Sequence, residues 1–196
     1  MNRRDALRKL AAGGVGAAAS ASWVTNLSAL ARVRADELQV AVASAQSSAR
    51  WVPRILNAHQ HETVAVLVEL IIPQTDTPGA KAVLVDRFVD SLLAEAQRPD
   101  RVRFLGGLAW LDRRSKVLYA KEFVTASPAQ QVDLLGKLSA DGSVEDRAGV
   151  AFFTAIKAMT ITGYYTSEVG LRDELGDDGR MFLPAYEGCT HPEHQR

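Results

Sequence analysis

Cys189, His191 and His194 are spaced Cys-x-His-x-x-His near the end of the chain, the one place where several metal-binding side chains stand close together. Structural zinc sites use paired cysteines at fixed spacing. A single cysteine in 196 residues does not supply that pair, nor can it hold an iron–sulfur cluster or attach a c-type haem. His59 and His61 are two residues apart, so on a helix they face different sides and lack the i, i+4 spacing of helical metal ligands. They read as solvated first-turn residues, and no metal is expected. Tyr164, Tyr165, Thr166 and Ser167 put four hydroxyls in a row, followed by carboxylates at Glu168, Asp173, Glu174, Asp177 and Asp178. Nucleophilic or acid–base chemistry needs such groups in a pocket beside a tuned base. A charge-rich run is more simply a solvated loop. The CxxC, HExxH, GxSxG, P-loop and dinucleotide fingerprints are all missing. Neither a catalytic residue nor a cofactor-binding residue is therefore expected in this chain.

The elements that would position these groups read as helices. Asn57 with Gln60 has capping-box spacing and opens a helix to Ile72, with Val64, Leu67, Leu70 and Ile71 facing inward and Pro73 ending it. Gln74-Thr75-Asp76-Thr77-Pro78-Gly79 is a turn. Val85, Phe88, Val89, Leu92 and Leu93 mark an amphipathic helix over about Lys81 to Gln97. A third helix, about Asp100 to Phe123, carries Leu105, Leu108, Leu111 and Leu118. Gly106-Gly107 within it implies a kink or a close helix contact. Ser127-Pro128-Ala129-Gln130 starts a fourth, whose core side is Val132, Leu134, Leu135 and Leu138. The last runs over about Glu145 to Thr162, where Phe152, Phe153, Ile156, Met159 and Ile161 are too many for one apolar stripe and imply burial on more than one side. Gly163 is expected to interrupt it. No period-2 run requires a sheet, so the expected fold class is all-α: one helical domain of about five helices over residues 57–196, ending in an irregular C-terminal tail.

The N-terminus reads as an address. Arg3 and Arg4 precede a weakly apolar, Ala- and Gly-rich stretch from Leu10 to Ala21, a twin-arginine export pattern too short and Gly-rich for a bilayer span of ~20 residues. Small-x-small cleavage sites end at Ala21 and at Ala31. The second is favoured because apolar character continues from Trp23 to Leu30, giving a signal over residues 1–31. Residues 32–56 are small and polar and read as a linker or a loosely held arm, anchored at its far end by Trp51-Val52-Pro53. The first 31 residues hold four of the 23 basic and one of the 23 acidic side chains, leaving 19 against 22. That mildly acidic remainder has no basic stripe, which argues against nucleic acid as a partner. The expected location is the periplasm. Since the twin-arginine route carries folded proteins, a chain without a cofactor gains from it chiefly by accompanying a partner that acquires one.

The segment FFTAIKAMTITGYYTSEVG, with YEGC after it and LVELIIPQTDTPGAKAV upstream, resembles the gluconate 2-dehydrogenase subunit 3 family, from about Asn57 to Cys189. Members are small subunits of membrane-associated, flavin-dependent sugar dehydrogenases. The resemblance implies a large glucose–methanol–choline-type partner that holds FAD and oxidises gluconate, glucose or a glucoside, often with a cytochrome c subunit as electron acceptor. It implies contact with the membrane only through that complex, and no cofactor in this chain. The expected role is a non-catalytic accessory subunit that stabilises the flavoprotein and carries it through export. A free-standing periplasmic enzyme using Tyr164, Tyr165, Ser167 or the C-terminal histidines is disfavoured by the missing motifs. The alternative is a periplasmic ligand-binding or structural helical module. Aromatic residues with polar tips suit protein contacts, so Tyr164, Tyr165, Thr166, Ser167, Tyr186 and Cys189 are expected at the partner interface. Cys189 has no partner cysteine within the chain, and Gly188 before it and the charged, Pro-containing sequence after it argue against deep burial, which leaves a free thiol or an intermolecular disulfide, for which Cys189 is the candidate.

Overall fold

In the computed structural model, which describes residues 22–46, 51–139 and 146–178, helix is the only regular secondary structure among the described residues. The order is α1 (Ser22–Gln46), α2 (Ala58–Ile71), α3 (Val85–Glu95), α4 (Arg98–Tyr119), α5 (Pro128–Ser139) and α6 (Arg147–Tyr165). A 3-10 turn at Phe123–Thr125 precedes α5, and a π-turn at Gly170–Glu174 follows α6.

Helix α6 touches each of the other five and lies at the centre. Phe152, Phe153, Ala155, Ile156, Met159, Thr160 and Tyr164 are all buried, so the surplus of apolar positions does reflect burial on more than one side. Gly163 does not interrupt this helix, which continues to Tyr165. Its missing side chain instead makes room for α3, since a Cβ there would lie 2.7 Å from Phe88 Cδ1. Gly107 of α4 plays the same part near the start of α6, because a Cβ on it would sit 2.6 Å from Phe152 Cβ. Of the two outcomes open for Gly106-Gly107, a close helix contact is the one found.

The helix starts follow their side chains. Asn57 and Gln60 form a reciprocal capping box on α2. Ser127 and Gln130 do the same before α5, at 2.9 and 3.3 Å. Several boundaries and faces differ from the expectations. Helix α3 begins at Val85 and not near Lys81, because residues 81–84 form a turn that ends with Leu84 at φ 63°. Ala120, also left-handed at φ 58°, stops α4 before the expected Phe123. Val132, expected on the core side of its helix, is 57 % exposed.

The largest correction concerns residues 32–56. No linker runs from Arg32 to Gln46: this stretch is the second part of α1, which begins at Ser22. Trp23, Leu27, Ala31, Ala35, Leu38 and Val42 recur every three or four residues and are all buried, one continuous stripe against the core. Dividing the sequence at residue 31 cuts that stripe in half and hides it. Polar contacts fix α1 to three neighbours. Asn26 Nδ2 donates to Asp100 of α4 at 3.1 Å, Arg34 Nε to Glu95 of α3 at 2.9 Å, and Gln39 Nε2 to the Gly163 carbonyl of α6 at 2.6 Å. That last bond satisfies one of the carbonyls a helix leaves open at its C-terminus.

Candidate functional site

The two sequence segments that carry the family resemblance meet in space. Glu69, in the last turn of α2, is wrapped by the turn that follows: its carboxylate accepts the Gln74 N–H at 2.9 Å and the Lys81 N–H at 3.1 Å. Gly79 lies against the same carboxylate, and a Cβ there would be 2.6 Å from the Gln74 nitrogen. A side chain would break the wrap. The turn presents the Pro78 carbonyl to the end of α6, where the Tyr164 hydroxyl donates to it at 2.9 Å. Thr77 Oγ1 donates to Glu174 of the π-turn at 2.8 Å. The Thr77–Tyr164 hydroxyl contact is longer, at 3.4 Å, and each hydroxyl proton already has its better acceptor.

Ser167 and Thr166 are engaged inside the same junction. Ser167 Oγ donates to the Tyr164 carbonyl at 2.6 Å and accepts the Gly170 N–H at 3.1 Å. Thr166 Oγ1 donates to the Thr162 carbonyl at 2.8 Å and accepts from Gln39 of α1 at 3.2 Å. Tyr165 packs edge-on against Tyr164, ring centroids 5.3 Å apart, and is half-buried. Tyr164 is fully buried and Ser167 is buried. The expectation that these two side chains lie on a partner surface is therefore corrected: their polar tips are satisfied within the chain, by a turn 86 residues away in the case of Tyr164. Of the four, Tyr165 and Thr166 keep some exposure. The arrangement is a lock joining α1, the turn after α2, and the end of α6. Arg3, Arg4, Tyr186, Cys189, His191 and His194 lie outside the described residues.

A second polar cluster ties α2 to its neighbours. His59 and His61 do face different sides, as their spacing requires, but they are not simply solvated. His59 Nε2 is 2.7 Å from Asp112 of α4, and His61 Nε2 is 2.7 Å from Asp86 of α3. The Asp112 carboxylate raises the His59 imidazole above its ordinary value, with Glu122 and Glu62 adding to it, while burial acts in the opposite direction. Trp51 lies 4.9 Å from the His61 ring and under the Arg87 guanidinium at 5.0 Å. One turn along α3, fully buried Asp90 accepts the N–H groups of Arg54, Ile55 and Leu56 at 2.7, 3.1 and 3.0 Å. These bonds clamp the segment before α2 onto α3, and Trp51 adds its contacts with His61 and Arg87 while Val52 is exposed.

Asp86 and Asp90 escaped the sequence reading although a signal was present. Two carboxylates four apart, on a helix whose apolar positions Val85, Phe88, Val89, Leu92 and Leu93 flank them, must be paired when that helix is buried. Among the described residues no group of three or more His, Cys, Asp and Glu side chains could hold a metal ion, and no helix is long and apolar enough to cross a membrane.

A family model described as gluconate 2-dehydrogenase subunit 3 matches residues 58–177, from the first residue of α2 to just past the π-turn. No curated protein and no solved structure matches the chain.

Proposed function

Because the chain belongs to the gluconate 2-dehydrogenase subunit 3 family, matched over more than half of its length, we propose that it is the non-catalytic small subunit of a periplasmic, FAD-dependent sugar dehydrogenase. The observation that carries this is the family match, since the family is a subunit of a dehydrogenase complex. In this role the chain stabilises a large glucose–methanol–choline-type flavoprotein and brings it through twin-arginine export. FAD and the oxidation of gluconate, glucose or a glucoside belong to that partner, and a cytochrome c subunit takes the electrons.

Two features support the assignment. Arg3 and Arg4 stand before a weakly apolar Ala- and Gly-rich stretch, the pattern of a twin-arginine leader. Two of the hydroxyls that a catalytic use would require, those of Tyr164 and Ser167, are engaged in holding the helix ends together. The partner surface then draws on Tyr165 and Thr166, together with Tyr186 and Cys189 of the C-terminal segment.

The chain purified without its partner is expected to show no flavin absorbance and no dehydrogenase activity, whereas the complex shows both. Stoichiometric FAD on the isolated chain would contradict the assignment.

A further inference from the structure

We infer that the export signal is removed after Ala21, and that α1 stays in the mature chain as part of its core. The inference rests on the exported role proposed above, and it reverses the preference for cleavage after Ala31 that apolar continuity suggests. Ala19-Ser20-Ala21 and Ala29-Leu30-Ala31 satisfy the small-x-small requirement equally well, so sequence alone separates them poorly.

The fold separates them. The bond after Ala31 lies within the 25-residue helix α1, and Ala31 itself is completely buried against the core. A peptidase reads its substrate as an exposed, extended strand, which that bond does not offer in a packed helix. Passengers of the twin-arginine route cross already folded, so α1 is packed before any peptidase meets it.

A cut after Ala31 would also remove side chains that the core uses. Trp23 and Leu27 are buried, at 7 % and 1 % exposure, and Asn26 holds the buried Asp100 carboxylate at the start of α4. Their loss would uncover part of the core that α1 covers and leave Asp100 without Asn26. The continuity of apolar residues from Trp23 to Leu30 is accounted for by burial in this protein and not by a signal.

The test is the N-terminus of the exported full-length gene product, read by intact mass and N-terminal sequencing of the periplasmic fraction. Wild type should begin Ser22-Trp23-Val24. Ala19→Asp, which spoils the first site, should leave the precursor uncut. Ala29→Asp, which spoils the second at an exposed position of α1, should be processed like wild type. An exported chain beginning at Arg32, a block by Ala29→Asp, or an exported chain still carrying Met1 would overturn the inference while leaving the exported role standing. A chain found uncut in the cytoplasm would overturn both, and cell fractionation tells these results apart.

Discussion

His59 sits close to a carboxylate that changes its protonation, and this makes one contact of the fold sensitive to pH. Its imidazole is 2.7 Å from Asp112, whose other oxygen accepts the Phe123 N–H at 3.1 Å, so the pair links α2 to α4 and to the 3-10 turn. The folded-state value of His59 is raised, first by the hydrogen bond to Asp112. A raised histidine contributes its full stabilisation below the ordinary value of about 6.5 and loses it as pH rises through the folded value. The side chain is 41 % exposed, so the effect is of surface-pair size, about 0.2–1 kcal/mol. The melting temperature of wild type should therefore fall more than that of His59→Gln as pH is raised from about 6 to about 8, by up to ~4 °C for a chain of this size. Identical pH slopes for the two proteins would show that the pair does not stabilise the fold.

Helix α4 carries two adjacent glycines with opposite duties. A methyl group on Gly106 would meet nothing within 4 Å, so Gly106→Ala should stabilise by about 1 kcal/mol through helix propensity alone. On Gly107 the same methyl would collide with Phe152 near its root, where a rotamer change gives no relief, and Gly107→Ala should destabilise by about 1–3 kcal/mol. Urea midpoints of the two variants should move in opposite directions, and a shift of the same sign would remove the close contact from the account. Helical spacing puts Gly107, three residues after Phe104 and four before Leu111, on the buried stripe and Gly106 off it, but the side chain that presses on it is 45 positions later on another helix and is not legible locally. The same limit governs the rest of what could be read. Helices α2 to α6 were legible because capping boxes and apolar spacing are local, and all five exist. Helix α1 was not, since two of its six stripe positions, Ala31 and Ala35, are alanine and the supposed cleavage site divides it. Tyr164 was placed on a surface because a tyrosine beside a run of hydroxyls has an interfacial character, and its acceptor, the Pro78 carbonyl, is remote in sequence. Glu69, Asp86 and Asp90 were passed over because a carboxylate's buried partners lie in turns and helices that only tertiary packing brings near.

At the scale of the whole molecule, α1 and the turn after α2 converge on the end of α6, so both ends of the described chain are fixed to one central helix. A rigid body of this kind suits a subunit that holds a partner during transport, and the proposed division of labour puts the address on this chain and the flavin on the other. The location of the partner tests that division most directly. In cells expressing both subunits, changing Arg3 and Arg4 together to Lys should leave the FAD-containing large subunit in the cytoplasm with this chain, and periplasmic dehydrogenase activity should be lost. A large subunit that still reaches the periplasm with its flavin when the arginine pair is gone would contradict the account.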